Sequence, residues 1–244
     1  MGGAPGALYQ AACNEALDGN VDAAFERLGQ AIEAGFTDLD HLQADSDLVA
    51  LRSDARWAAL LAKANEHTRA WETTLGDAGL RRELLALRVE DQAARNAFGV
   101  GCDEERVCAR IDAIDRKTTA RMKELVFAHG WPGKTLVGKD GADAAWLLVQ
   151  HADRDVVFQR ACLVLMEQAV RNGEAEPASY AYLVDRVAVN EGRKQTYGTQ
   201  FAALDTPRPI EDEANVDERR KSVGLDSLES YRRQMAEVFA RAPK

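Results

Sequence analysis

Six consecutive apolar residues, Ala144, Ala145, Trp146, Leu147, Leu148 and Val149, fall within a helical pattern and leave no side of that helix polar. Such a helix has to be packed from several directions, so the chain must gather other helices around it. The segment before it carries the matching punctuation. Gly130 and Pro132 end a preceding helix at about His129, glycine by tolerating positive φ and proline by lacking an N–H, which holds Trp131 on a turn. Asp140, with Asp143 three positions on, is spaced as a capping box for a helix running from Ala142 to about Ala152. Gln150 follows Trp146 by one turn and His151 follows Leu147, so both polar side chains should be at least partly buried and need partners from elsewhere.

The 244 residues suffice for one large domain or two ordinary ones, and 46% hydrophobic content supplies a core. Forty acidic against 31 basic residues give a net charge of -9, which argues against nucleic acid or an anionic membrane as the main partner, since both need clustered Lys and Arg. No apolar run approaches a membrane span, and MGGAPGALYQ lacks the charged and apolar regions of a signal peptide. Cys13, Cys102, Cys108 and Cys162 show no CxxC spacing and are too sparse for a disulfide framework. Reduced thiols and a cytoplasmic location are expected, export requiring a signal removed beforehand.

Leu8 to Ala34 reads as two helices split at Asp18-Gly19-Asn20, with Leu8, Ala12, Ala16, Ala24, Leu28 and Ala31 at the small and apolar positions of a helix hairpin. Thr37 to Asp40 and Asp45 to Asp47 are capping clusters, and Leu48, Leu51, Trp57, Leu60 and Leu61 furnish apolar contacts for short helices ending in a longer one. Thr73 to Gly79 interrupts the helical pattern, predicting a helical cap over residues 1–73 and a second domain over 80–244. In the latter, Leu80, Leu84, Leu87, Asp91 and Ala94 share one stripe, which sets the Asp91 carboxylate among apolar neighbours with Gln92 beside it. A loop at Gly99 to Gly101 precedes a long amphipathic helix, Asp103 to Ala128, with Asp115 at the edge of its stripe. Asp155 can cap a helix ending at Asn172-Gly173, and Pro177 opens another that Gly192 stops. Gln195 to Leu204 alone has strand character, and it is expected to pair with Arg208 to Ile210 as a small hairpin. Asn215 with Glu218 and Asp226 with Glu229 are spaced as capping boxes for the final helices. The fold class is therefore mainly α, with one short β element.

The first segment resembles a tetratricopeptide repeat, which implies a cap or docking surface for a peptide or protein partner. The segments HGWPGKTLVG, AAWLLVQHADRD, YLVDRV, GRKQTYGTQF and PIEDEANVDERRKSVGL together resemble an uncharacterised bacterial family that often follows such segments. That resemblance covers roughly Leu80 to Tyr231 and implies a domain boundary and a shared site, with no named reaction.

Three arrangements carry possible chemistry. Gly133 to Lys139 has the GxxxxGK spacing of a phosphate-binding loop, but a helix end precedes it and Asp140 stands where magnesium needs a hydroxyl, so a capped connection is the better reading. His151-Ala152-Asp153, with His129 as a distant third ligand, has the residue types of a non-haem iron site, yet the β-barrel that carries such sites is missing from the pattern. The larger constellation is Asp91, Gln92, Trp131, Gln150, His151, Asp153, Asp185, Arg186, Gln195, Tyr197 and Gln200. It reads either as a buried hydrogen-bond network, as a pocket around His151 for a peptide, a partner protein or a small polar ligand, or as an active site. In that last case His151, Asp153 and Asp185 are the candidate catalytic residues, with His151 as general acid or base, Asp153, Asp185 or the YGTQ turn as its expected partner, and the rest of the set orienting a polar substrate. No motif calls for a metal or cofactor, and no cysteine or serine stands in a nucleophile motif.

Overall fold

The computed structural model describes residues 4–96, 104–203 and 206–241, and the chain divides into two compact units, Met1–Leu75 and Gly76–Lys244. The first unit begins with helices α1 (Pro5–Leu17) and α2 (Val21–Glu33), separated by Gly19 at φ +80°. They pack as a hairpin through Ala12, Cys13 and Ala16 on one side and Ala24, Leu28 and Ile32 on the other. Helix α3 (Leu39–Ala44), a 3-10 helix (Ser46–Leu51) and α4 (Arg56–Glu72) complete the unit, adding Leu42, Leu48, Leu51, Trp57 and Leu60 to the same core. The capping clusters act as the sequence suggests. Asp38 accepts a bond from the His41 N–H, and Asp45 accepts from the Asp47 N–H and from the Tyr9 hydroxyl at 2.7 Å.

The second unit opens with α5 (Ala78–Arg95), so the helix starts two residues before Leu80. Asp77 caps it by accepting the Leu80 N–H at 2.8 Å, and the Gly76 and Asp77 N–H groups bond to the carbonyls of Thr135 and Leu136. Helix α6 (Glu104–His129) ends at Gly130, whose φ of +71° lets its N–H close back on Val126. Helix α7 (Lys134–Gln150) contains a kink at Gly138 (φ 74°, ψ 168°), which splits it into a short first turn and the apolar helix anticipated from the sequence. Ala144, Ala145, Leu148 and Val149 are fully buried against α5, α6, α8 (Val156–Arg171) and α9 (Pro177–Asn190). Leu84, Met122, Cys162, Met166 and Leu183 supply the opposing surfaces.

The capping box expected at Asp140 and Asp143 is replaced by two ion pairs. The Asp140 carboxylate faces the Arg81 guanidinium, which is 4% exposed and needs a counter-ion, while Asp143 pairs with Lys139 at 2.7 Å. Beside this pair Gly141 packs directly on Val137, since a Cβ there would lie 2.9 Å from Val137 Cβ.

The β element is smaller than the sequence suggests. Strand β1 (Phe201–Ala203) pairs antiparallel with β2 (Thr206–Pro207), and Gln195 alone bridges to Ile210. The residues between are drawn off the sheet into a turn with Gly198 at φ +71°. A short 3-10 helix (Glu213–Asn215), α10 (Val216–Ser222) and α11 (Leu228–Arg241) follow. Asn215 bonds Asp212 instead of capping α10, and α11 starts with its Leu228 N–H on Asp217 and Ser230 N–H on Ser227, so neither expected capping box forms. The fold is mainly α with a two-stranded antiparallel sheet. Among the described residues no helix is long and apolar enough to cross a membrane. The loop expected at Gly99 to Gly101, Cys102 and Leu204 lie outside the described residues.

Candidate functional site

Asp91 lies on the buried stripe of α5, is fully buried, and meets His151 at the C-terminal end of α7, with Nδ1 at 3.0 and 2.9 Å from its two carboxylate oxygens. Gln92 donates to the same carboxylate at 2.8 Å. Arg95, one turn after Asp91, reaches Asp91, the His151 ring and Asp115 of α6 together. Burial by itself would raise the Asp91 carboxyl, and the hydrogen bonds from His151, Arg95 and Gln92 outweigh it, holding the group below its ordinary range. Asp91 is thus an anion that can only accept, which fixes the proton on His151 Nδ1 and puts the lone pair on Nε2. Arg95 Nε stands 3.0 Å from that Nδ1, and an Arg–imidazole bond would demand the other tautomer. An ionised carboxylate at 2.9 Å is the stronger acceptor, and Arg95 Nε has Asp91 Oδ2 at 3.3 Å as its alternative. Among the described residues Nε2 has no hydrogen-bond partner.

His151 and Asp115 line a pocket of about 260 Å³, formed between one face of α6 and the turn from His151 to Asp155. Arg116, Lys123 and Arg154 stand around it. Burial pushes the Asp115 carboxyl above its ordinary range, with Arg95 drawing it back.

The remaining members of the expected constellation gather elsewhere. Asp153, expected as a partner of His151, instead receives Arg186 Nε at 2.8 Å, Asn190 Nδ2 at 2.9 Å and Gln159 Nε2 at 3.3 Å. These bonds overcome the effect of burial and lower its carboxyl. Arg186 continues to Gln200 Oε1, and Gln200 Nε2 donates to Thr199 Oγ1.

Asp185 is likewise no partner of His151. Fully buried, it accepts the Thr196, Tyr197 and Thr199 N–H groups and the Thr199 hydroxyl, so its carboxylate is committed to holding the turn. Gln195 donates to the Gln200 and Arg208 carbonyls and accepts the Gln200 N–H, which also makes it a brace of that turn. The Tyr197 carbonyl accepts from the buried Arg220 at 2.7 Å.

Trp131 lines a separate pocket of about 440 Å³ with His129, Thr135 and Glu174, because the turn after α6 carries it toward α8. Among the described residues its buried indole N–H has no partner, nor has Gln150 Oε1. Of the expected set, therefore, only Asp91 and Gln92 join His151. Arg95 and Asp115 complete that group. Spacing offered a signal for both, since Arg95 is four residues from Asp91 and Asp115 edges the α6 stripe.

His129 and His151 line different pockets, which removes the distant third ligand from the iron reading. Among the described residues the only three metal-ligating side chains whose ligand atoms all lie within 4.8 Å of one another are Cys13, Asp45 and Asp47 in the first unit, where Asp45 already accepts from Tyr9 and the Asp47 N–H. In the stretch with phosphate-loop spacing, Lys139 and Asp140 are held in ion pairs and a helix precedes it.

A model for a family of unknown function, DUF6624, matches residues 78–243. No curated protein and no solved structure matches the chain.

Proposed function

Since the chain belongs to a family whose function is itself unknown, we propose from the site alone that the second unit is a binding module for a small polar ligand, held in the pocket around His151. One observation carries this reading. A histidine whose Nδ1 is pinned by a fully buried carboxylate keeps Nε2 unpartnered at a pocket wall, where it can accept a proton donor.

The same geometry favours a second reading, general-base catalysis, because the Asp91 anion fixes the tautomer in which Nε2 is the base and would stabilise the imidazolium formed. In that case Asp91 replaces Asp153 and Asp185 as the orienting carboxylate. The first unit, resembling a tetratricopeptide repeat, we read as the docking surface for a peptide or protein partner. We take the setting to be cytoplasmic, in keeping with free Cys13, Cys108 and Cys162.

His151→Gln tests the site. In a thermal-shift screen with acetate, ethylamine, glycine and inorganic phosphate, at least one probe is expected to raise the melting temperature of the wild type and to lose that effect in the variant. A purely structural His151 gives a variant destabilised by about 1 to 3 kcal/mol that still binds as the wild type does, and that result would end the reading.

A further inference from the structure

The pocket is electrically divided along its depth. On its inner side, the floor, Asp115 and His151 line the pocket, and behind them Asp91 and Arg95 join them, so with a neutral imidazole two carboxylates share one guanidinium and this group carries one uncompensated negative charge. Asp115 gives only Oδ1 to Arg95, and Oδ2 has no partner among the described residues. His151 Nε2 and Asp115 Oδ2 are thus two acceptors without donors on the wall of one pocket.

At the rim the balance is reversed. The guanidinium groups of Arg116 and Arg154 share the single carboxylate of Asp112, which leaves one positive charge in excess, whereas Lys123 is matched by Asp155. Arg116 and Arg154 are more than half exposed, so their charges are open to a ligand and screened by salt.

We infer that the pocket takes a small zwitterion, its ammonium group on Asp115 and His151 Nε2 at the floor and its carboxylate toward Arg116 and Arg154 at the rim. This rests on the ligand-binding reading and names the ligand class. An ammonium group supplies three donors to the two open acceptors and cancels the charge of the floor. It also gives the partly buried Asp115 carboxylate the counter-ion that Arg95 only half provides. A carboxylate at the other end accepts in-plane bonds from guanidinium groups at the rim. An anion without the ammonium would meet Asp115 head on, and an amine without the carboxylate would leave the rim charge unused. Neither half alone matches both ends.

The experiment compares glycine, β-alanine and 4-aminobutyrate with propionate and ethylamine, by calorimetry on the full chain at low ionic strength. The His151 ring resonances are followed in parallel by NMR. At least one of the three zwitterions is expected to bind tenfold or more tightly than either single-charge probe and to shift His151. Asp115→Asn should reduce the best zwitterion to the affinity of propionate, and Arg154→Gln should reduce it to that of ethylamine. Both variants are checked for an unchanged melting temperature, and Asp115→Glu should restore part of the lost affinity. Propionate binding as tightly as every zwitterion, with His151→Gln still abolishing it, overturns the zwitterion and leaves a polar-ligand pocket. Binding by none of the probes also overturns it, and the underlying reading then stands or falls with the His151→Gln screen.

Discussion

Asp185→Ala is expected to lower the stability of the second unit by about 3 to 5 kcal/mol, as for orphaning several buried hydrogen-bond donors at once. The carboxylate accepts N–H groups of Thr196, Tyr197 and Thr199 at 2.7, 2.9 and 2.9 Å from a fully buried position. Alanine leaves those donors orphaned, each costing about 1 to 3 kcal/mol if the turn stays in place. The turn would relax before the whole penalty is felt, which sets the smaller total. Arg220 then loses its Tyr197 carbonyl, and with it the anchor between the turn and α10. Asp185→Asn keeps one acceptor oxygen of the same shape and should lose less. Urea unfolding of the two variants measures the difference. A loss below about 1 kcal/mol for the alanine variant would mean that the turn is held by other contacts.

Asp91→Ala should cost a similar amount, about 3 to 5 kcal/mol, because inside the helix core it strips Arg95 of one of its two carboxylates and the His151 Nδ1–H of its acceptor. The pH dependence gives a second signature. The folded Asp91 carboxyl sits below its ordinary value, so the folded state favours the ionised form. Its contribution is fully present above the unfolded value of about 3.9 and is lost as pH falls through the lower folded value. The gap in stability between wild type and variant should thus be constant from neutral pH down to about 4 and close below that. Asp115 works in the opposite sense, since its raised carboxyl binds a proton more readily when folded and so favours folding as pH falls. A gap that closes well above pH 4 would assign the linkage to another group.

Most of the fold was legible because it depends on short-range signals. Gly130, Asp155 and Pro177 mark helix ends through local backbone chemistry, and the all-apolar run of α7 fixes the centre of the packing. The kink at Gly138 escaped notice, since GKTLVGKD reads equally as a loop, and so did the Arg81 counter-ion that draws Asp140 away from a capping role. The site was half legible. Burial of Asp91, Asp185 and His151 follows from their places on apolar stripes, but which carboxylate meets the imidazole depends on how α5 and α9 lie against α7. Helical periodicity gives the inward direction of a side chain, not the neighbour it finds there. In the sequence Asp153 is the nearest carboxylate, two residues away, yet His151 closes the helix facing α5 while Asp153 points to α9.

Asp91 and His151 lie 60 positions apart in the chain, and Arg81 and Asp140 lie 59 apart. Both pairs tie α5 to α7 across the whole of α6, so they cannot form until the chain has closed a long loop. The α8 and α9 contacts span a far shorter stretch and can form first. In time, therefore, the pocket is a late product of folding: the imidazole meets its carboxylate only after the helix between them has been laid down. Pulsed hydrogen exchange should show α8 and α9 protected before the α5 amides around Asp91, and the reverse order would contradict this.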